Sequence, residues 1–295
     1  MPAEFEYYQP RTLPEAMNFL EKSAPGMHIL AGGTDLMVWV KQKTIRPRAV
    51  LDIKTIKELY GLKVDAGGQG HIGPLTTARE LIEWCEGIGK FKNLKAAAGC
   101  LGSPIIRNRA TIGGNLCTAS PAGDLSLALL SYDTRVVIQG PAGRRTLGLQ
   151  EFFKGPGQMD LAAHEILVEI QVTPPPEQSG EAFFKLGLRK ALQCSVVSVA
   201  ATVIPEANKP DRIDRVFVAL GAAAPTAMRA TRAQAVLAGR KWSPQRAKEA
   251  ARVAAEECAP ITDIRASKDY RREMISVLTL RVLNRAWQAA LKNVN

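Results

Sequence analysis

Two loops that each contain a pair of adjacent glycines place the strongest constraint on how this chain can fold. One loop runs from Ala31 to Asp35 (AGGTD) and the other from Thr111 to Asn115 (TIGGN), so each pair stands beside small hydroxyl or amide side chains. Adjacent glycines adopt positive φ angles and leave backbone N–H groups open to a charged ligand. Either pair alone is more often an ordinary tight turn, but the two together point to a nucleotide cofactor.

The surroundings of the first loop predict a strand, a turn and a helix. The apolar run at 27–30 precedes the loop, and a second apolar run at 36–41 follows it. A helix start favours negative charge, so a phosphate at this turn would be stabilised. Asp35 would repel a phosphate, and we therefore expect its carboxylate to cap the helix amides while Thr34 and the glycine N–H groups face the ligand. Neither loop has the spacing of a Rossmann fingerprint or of a P-loop.

Five ordered signatures carry a resemblance to a known family. They are AGGTD at 31–35, IRNRATIGGN at 106–115, SPAGDL at 120–125, GPG at 155–157 and EIL at 165–167. In this order and spacing, the chain resembles the FAD-binding, or medium, subunit of the molybdenum-containing hydroxylases, the group of xanthine dehydrogenase, carbon monoxide dehydrogenase and 4-hydroxybenzoyl-CoA reductase. The likeness runs from end to end, but the four-cysteine insertion of the 4-hydroxybenzoyl-CoA reductase branch is missing.

The resemblance implies an α+β fold. A two-part FAD-binding domain of the vanillyl-alcohol-oxidase type (PCMH-like) would precede a C-terminal domain of sheet plus helices, like that of the carbon monoxide dehydrogenase flavoproteins. We expect FAD-binding subdomain 1 over residues 1–57, FAD-binding subdomain 2 over 58–177 and the C-terminal α+β domain over 181–295. The last boundary rests on the proline-rich run TPPPEQSG at 173–180, which breaks regular structure and is typical of a linker.

Local patterns of apolar, β-branched and capping residues predict elements that suit these units. In chain order they are a helix from Thr12 to Leu20, strands over 27–30 and 49–53, helices over 78–86 and 124–130, strands over 135–138, 166–172, 182–188, 196–204 and 213–219, and helices over 244–258 and 269–291. The first unit therefore reads as a β-α-β arrangement, and the last as an antiparallel sheet covered by helices.

The same resemblance implies where cofactor contacts would lie. FAD would occupy the cleft between the two N-terminal units, with its diphosphate spanned by both glycine loops. The positions that match the family's contacts are Ile29, Leu30, Ala31, Gly32, Gly33, Thr34, Asp35, Leu36, Leu101, Gly102, Thr111, Ile112, Gly113, Gly114, Asn115, Asp124, Val168 and Lys185. Hydroxyl and amide groups in this set supply hydrogen bonds, and a cation at Lys185 would stabilise an anionic reduced flavin. No catalytic residue and no metal ligand is expected on this chain.

Several of these positions also have a purely structural interpretation. Asp124 can accept a hydrogen bond from a sugar or ribityl hydroxyl, or it can cap the helix that follows it. Leu101 and Val168 match positions where the family packs apolar groups against the rings, and core packing explains them equally well. Lys185 corresponds to a family lysine on the flavin side of the cleft, whereas the alternative is a strand lysine that faces water.

Composition narrows the class of protein. The five cysteines and three histidines are scattered without any C-x-x-C pair, so no disulfide framework, zinc site or iron-sulfur site is encoded locally. No run approaches the ~20 apolar residues of a membrane span, and the N-terminus lacks the features of a secretory signal, so a cytoplasmic location is expected.

The net charge of +11 suggests an anionic partner. Nucleic acid is disfavoured, because the late basic residues alternate with glutamates and lack interleaved aromatics.

The resemblance implies a function in electron transfer. A molybdenum-binding large subunit would oxidise the substrate, a 2Fe-2S small subunit would pass single electrons, and FAD on this chain would transfer them to NAD, a quinone or ferredoxin. The 2Fe-2S clusters and the molybdopterin cofactor would thus lie on partner subunits, in a heterotrimer or a dimer of heterotrimers. Two alternatives stay open: a stand-alone FAD-dependent oxidoreductase of the same fold, and a basic binding module without redox function. The substrate, and whether Cys100 or Cys117 touches the flavin, also stay open.

Overall fold

A three-stranded parallel sheet forms the first unit of the computed structural model, which describes residues 4–23, 26–189 and 192–294. Its elements are β1 (Glu6–Tyr8), α1 (Leu13–Ser23), β2 (Met27–Leu30), α2 (Leu36–Lys41) and β3 (Ala49–Asp52). The strand order is β1-β3-β2. The central strand β3 is buried at every residue, as expected for a strand of a parallel sheet that is covered on both faces. β2 leads into the first glycine loop, and α2 begins directly after it.

A five-stranded antiparallel sheet and a series of short helices form the second unit. Its elements are β4 (Leu62–Val64), β5 (Gly70–Ile72), α3 (Ala78–Ile88), α4 (Lys92–Cys100), α5 (Pro104–Arg107), α6 (Ile112–Thr118), α7 (Asp124–Leu130), β6 (Asp133–Gly140), β7 (Gly143–Gly148), α8 (Leu149–Phe152), β8 (Phe153–Gly155), β9 (Gln158–Met159) and β10 (Ile166–Thr173). The strand order is β4-β5-β10-β6-β7, and β8 pairs with β9. A register shift between Leu167 and Glu169 makes Val168 a bulged residue of β10. Its side chain packs into the core shared with the first unit.

Helix α7 is buried at all seven of its residues. Its sequence, DLSLALL, is apolar apart from Asp124 and Ser126, which is the pattern of a helix enclosed by protein. The helix packs against α4 of its own unit and against the C-terminal sheet. Its first residue, Asp124, is therefore held where the second unit meets the third.

The third unit follows residues 174–179, which belong to no helix or strand. Its elements are β11 (Gly180–Leu186), β12 (Val197–Glu206), β13 (Lys209–Gly221), β14 (Met228–Arg229), α9 (Thr231–Leu237), α10 (Pro244–Glu257) and α11 (Lys268–Val294). The four strands form one antiparallel sheet in the order of the chain, and α10 and α11 pack with it in one apolar core. As the sequence predicts, Ser243 caps α10 and Pro244 stands in its first turn.

Strand β11 presents alternate side chains to two different cores. Ala182, Phe184 and Leu186 pack in the C-terminal core, whereas Phe183 packs in the core of the second unit. Because side chains alternate across a strand, Glu181 and Lys185 share the face of Phe183 and point into the second unit. The strand therefore places two charged side chains between the second and third units.

The predicted α+β fold class, with its C-terminal sheet and helices, is confirmed. The predicted strands and helices fall on observed elements, whose ends differ by a few residues. The domain bounds 1–57, 58–177 and 181–295 stay predictions. In the parts of the chain that the structure describes, no helix is both long and apolar enough to cross a membrane.

Candidate functional site

A cavity of about 700 Å³ lies where the three units meet. Its volume is in the range of small-molecule and cofactor sites. The predicted contact residues that line it are Ile29, Ala31, Gly32, Gly33, Thr34, Asp35, Leu36, Leu101, Gly102, Thr111, Gly113, Gly114, Asn115, Asp124 and Lys185. Folding thus brings both glycine loops, the start of α7 and one residue of β11 to a single space.

The first glycine loop presents open backbone donors to this cavity. Gly33 has a φ angle of 76°, which favours glycine over other residues. Among the described residues, no protein oxygen accepts a hydrogen bond from the backbone N–H of Gly32, Gly33 or Thr34. Three neighbouring half-buried residues that line the cavity thus carry N–H donors without a protein acceptor, an arrangement that suits an anion.

The first glycine loop contacts the chain just before and just after the second glycine loop. A Cβ atom at Gly32 would lie 1.9 Å from the carbonyl oxygen of Arg109, just before the second loop. No side chain fits there, so the close approach of the two backbones requires glycine. The hydroxyl of Thr118, at the end of α6, also donates to Asp35 Oδ2 at 3.1 Å. The two loops therefore form one wall of the cavity.

Asp35 does not cap α2, and this expectation from the sequence is wrong. The residue stands at the N-cap position, but its side chain makes no hydrogen bond to the helix amides. Its carboxylate instead accepts the hydrogen bond from Thr118, which is 83 residues away in the chain. A local pattern could not reveal that partner.

The second glycine loop uses its backbone donors within the protein. Thr111 caps α6, and its Oγ1 accepts from the N–H of Gly114 at 3.1 Å. The other donations are Ile112 to Thr76 O at 2.9 Å, Gly113 to Pro74 O at 2.8 Å and Asn115 to Thr111 O at 3.0 Å. This loop therefore contributes side chains and a backbone surface to the wall of the cavity, but none of these four N–H groups as a free donor. The expectation that both loops present open amides is corrected accordingly.

Three predicted contact residues are not among those that line the cavity. Ile112 is fully buried in the core of the second unit, and the bulged Val168 packs in the core shared with the first unit. Leu30 follows Ile29 on β2, where neighbouring side chains point to opposite faces. For Val168, core packing is the interpretation that the structure favours.

Asp124 and Lys185 form a buried ion pair at the cavity. Lys185 Nζ lies 2.6 Å from Asp124 Oδ2, and the two side chains are only 4% and 8% exposed. Burial raises the pKa of Asp124, while the neighbouring ammonium and the hydroxyl of Ser195 oppose that rise. Neither structural alternative from the sequence holds, because Lys185 does not face water and the N-cap of α7 is Gly123.

The structure adds cavity residues that no motif indicates. Met27 shares a side of β2 with Ile29, so strand alternation could have found it. The others come from segments scattered along the chain and include Trp39, Pro74, Cys117, Thr118, Met159, Leu161, Gln193 and Cys194. Of the two cysteines that the sequence left open, Cys117 lines the cavity and Cys100 does not. Burial raises the pKa of the Cys117 thiol to about 12, so this thiol is neutral near pH 7.

Within the described ranges, no group of three or more His, Cys, Asp or Glu side chains could hold a metal ion. The described cysteines are all unpaired thiols.

Comparison with known proteins places the chain in a family. Residues 3–175 match the family described as FAD binding domain in molybdopterin dehydrogenase, and residues 182–286 match the CO dehydrogenase flavoprotein C-terminal domain. The xanthine dehydrogenase FAD-binding subunit of Escherichia coli O157:H7 is 33% identical over 285 residues, which cover 96% of each chain. The carbon monoxide dehydrogenase medium chain of Hydrogenophaga pseudoflava is 31% identical over 287 residues, which cover 97% of this chain and 98% of that one.

A solved structure extends this likeness to the fold. Carbon monoxide dehydrogenase from Hydrogenophaga pseudoflava, in a form that lacks the Mo-pyranopterin moiety of the molybdenum cofactor, matches with a TM-score of 0.93 and 31% identity over 98% of this chain and 99% of that chain. The resemblance inferred from the sequence is thus confirmed. The chain belongs to the FAD-binding, or medium, subunits of the molybdenum hydroxylase family, and it is an oxidoreductase flavoprotein subunit.

Proposed function

We propose that this chain binds FAD in the cavity between its glycine loops, receives single electrons from a 2Fe-2S subunit and passes them to NAD or another acceptor. The observation that carries the proposal is the row of open N–H groups at Gly32, Gly33 and Thr34, facing a cavity of cofactor size. The role of these residues is our inference from geometry and from the resemblance to the family.

The first loop has the chemistry that a diphosphate requires. Three successive N–H groups supply donors, and the positive end of the short helix α2 lies directly behind them. The nearby carboxylate of Asp35 is engaged by Thr118. From the second loop, Asn115 uses its Oδ1 to accept from Ser126. Its Nδ2 has no protein acceptor among the described residues, and the residue lines the cavity.

Lys185 supplies positive charge to the same cavity. When bound, FAD can accept electrons singly and release them as a pair. A buried ammonium is poorly screened by solvent, so it favours the anionic reduced state of a nearby ring over the neutral oxidised state. Asp124 holds Nζ in place and offsets part of its positive charge at the cavity. These two residues would therefore adjust the potential of the bound cofactor without taking part in bond making.

The remaining steps of the relay belong to partner chains in this proposal. Relatives of this chain are named as medium chains or FAD-binding subunits, so we place the 2Fe-2S clusters and the molybdopterin cofactor on two further polypeptides. We propose a heterotrimer or a dimer of heterotrimers in the cytoplasm, a compartment in which the free cysteines would stay reduced.

The flavin content of the purified chain tests the proposal. We expect the wild-type chain to carry about one FAD, and Gly33→Ala to lower the affinity for FAD by about tenfold, because a left-handed φ costs a non-glycine residue ~1–2 kcal/mol and displaces the donors. Gly68→Ala is the matched control, since Gly68 has a φ angle of 84° and no atom of the described residues lies within 4 Å of an added Cβ. Equal loss of flavin from both variants, or a wild-type chain that takes up no FAD, would contradict the proposed site.

The partners and the acceptor need a second measurement. We expect the chain to co-purify with iron, molybdenum and two further polypeptides, and NAD to reoxidise the dithionite-reduced complex. Purification of an active flavoprotein without partners would favour a stand-alone oxidoreductase instead. If NAD does not reoxidise the reduced complex but a quinone or ferredoxin does, only the proposed electron acceptor changes.

A further inference from the structure

We propose that Ser195 is a positioning residue for the Asp124–Lys185 pair, and that a cluster of charged side chains in the C-terminal domain holds Ser195 in place. The cluster consists of Asp263, Arg265 and Arg271 and is called the arginine cluster below. This inference rests on the proposed function, because it concerns the potential of FAD bound in the cavity. It adds a role for the C-terminal domain in setting that potential.

The arginine cluster is a rigid unit built around one carboxylate. Arg271 Nη2 lies 2.6 Å from Asp263 Oδ1, and Arg265 Nη2 lies 2.5 Å from Oδ2. Hydrogen bonds from Arg265, supported by Arg271, hold the pKa of Asp263 well below its usual range. Arg271 is 1% exposed, and a buried ion pair of this kind contributes more to defined geometry than to net stability.

The two arginines use their remaining donors on neighbouring backbone carbonyls. Arg265 Nη1 donates to Ser195 O at 3.3 Å, and Arg271 Nη1 donates to Val196 O at 2.7 Å. The N–H of Val196 donates to Leu186 O at 2.7 Å. The backbone at Ser195 and Val196 is thus tied to the arginine cluster on one side and to β11, which carries Lys185, on the other.

Ser195 connects this backbone segment to the Asp124–Lys185 pair. The residue is fully buried, and its Oγ makes a long hydrogen bond of 3.5 Å to Asp124 Oδ1, while Lys185 contacts the other carboxylate oxygen. A hydroxyl that donates to a carboxylate favours its charged form. Ser195 therefore helps Asp124 to keep its countercharge on Lys185. Without this hydroxyl, Asp124 takes up a proton from solvent more readily. A neutral Asp124 no longer compensates the charge of Lys185, so an anionic reduced flavin beside Lys185 becomes more stable.

The experiment is a redox titration of the FAD-loaded complex at fixed pH. We expect Ser195→Ala to raise the midpoint potential of FAD, with the equilibrium shifted about threefold toward the reduced form, which is roughly 15 mV for a two-electron couple. Ser179→Ala is the matched control, because Ser179 is also buried and its hydroxyl has no hydrogen-bond partner among the described residues. We expect its potential to equal that of the wild type.

A second variant tests the role of the arginine cluster. Arg265→Gln removes the donor to Ser195 O at a residue that is 30% exposed, so the fold should tolerate it. We expect a smaller rise in potential than for Ser195→Ala, and no rise for Arg272→Gln, which removes a more exposed arginine paired with Asp269. If Ser195 is the link, the double variant Ser195→Ala/Arg265→Gln shifts the potential no further than Ser195→Ala alone.

The outcomes separate this inference from the function on which it rests. Retained FAD with an unchanged potential in both variants would overturn the positioning role. Additive shifts in the double variant would overturn the route through Ser195. A wild-type chain that binds no FAD would instead contradict the proposed function.

Discussion

The two glycine loops have similar sequences and lie against each other, yet they use their backbone donors differently. In the first loop, the N–H groups of Gly32, Gly33 and Thr34 have no acceptor among the described protein atoms. In the second loop, four successive amides from Ile112 to Asn115 all donate within the protein. This difference supports our proposal that the first loop binds the ligand and that the second holds the first in position.

The comparison shows what a glycine pair does and does not predict. A glycine is required where the backbone approaches another atom closely, but the sequence does not say whether that atom belongs to the protein or to a ligand. A Cβ at Gly113 would lie 2.7 Å from Pro74 O, so this glycine serves packing of the second loop. Gly33 has a positive φ, and its N–H donates to no protein oxygen among the described residues. A glycine that packs against protein is distinguished from one that faces a ligand only by whether the neighbouring N–H groups donate to protein atoms.

A substitution that forces the two loops apart should have the largest effect on the affinity for FAD. Gly32→Ala places a Cβ 1.9 Å from the carbonyl oxygen of Arg109, so the loops must move apart and the donors of the first loop lose their alignment. Loss of two charge-assisted hydrogen bonds corresponds to about 3 kcal/mol, or roughly a 100-fold weaker affinity for FAD. Fluorescence titration of the apoprotein with FAD measures this.

Gly99→Ala is the control, because it replaces a glycine without disturbing a contact. Gly99 lies in α4 with no atom within 4 Å of an added Cβ, so alanine should leave FAD affinity unchanged and raise helix stability by up to ~1 kcal/mol. Wild-type affinity in Gly32→Ala would show that the contact between the loops is unimportant for binding.

A smaller effect of a different kind is expected in the second loop. Thr111→Ala removes the cap of α6, which should lower the free energy of unfolding by about 1 kcal/mol. Because this loop offers no open amides, we expect the affinity for FAD to fall by less than about tenfold. Chemical denaturation measures the first quantity, and FAD titration measures the second.

Thr111→Ser keeps the capping oxygen and should restore both values. If Thr111→Ala loses 100-fold in FAD affinity at unchanged stability, the second loop binds the ligand directly. The proposed difference between the two loops would then be wrong.

The sequence predicted the elements of the fold better than the contacts of the site. Strands and helices follow from local periodicity and caps, such as Ser243 before Pro244 at the start of α10, and local signals are sufficient for those. The partners of Asp35 and Asp124 are 83 and 61 residues away. The local interpretations of these two carboxylates, as helix caps, were both wrong for that reason.

Burial of charge was the other feature that sequence alone could not provide. A lysine in a strand usually faces water, and nothing around residue 185 indicates otherwise. The alternation of β11 puts Phe183 and Lys185 on one face, but whether that face meets solvent or a second core depends on where α7 packs. The resemblance to the family placed Lys185 at the cleft, whereas residue types and spacing did not.

The smallest effect concerns the charge at the edge of the first loop. Asp35 is exposed and adjoins the open donors, so its carboxylate should repel a diphosphate weakly. Asp35→Asn keeps an acceptor for Thr118 and removes the charge, and we expect FAD to bind about two- to threefold more tightly at low salt, a gain of roughly 0.5 kcal/mol that salt should reduce. Asp35→Ala is the comparison, because it also removes the contact with Thr118 that ties the loops together. Weaker binding in Asp35→Asn would mean that the carboxylate accepts a hydrogen bond from the ligand itself, and the first loop would then combine amide donors for phosphate with an acceptor for a hydroxyl group.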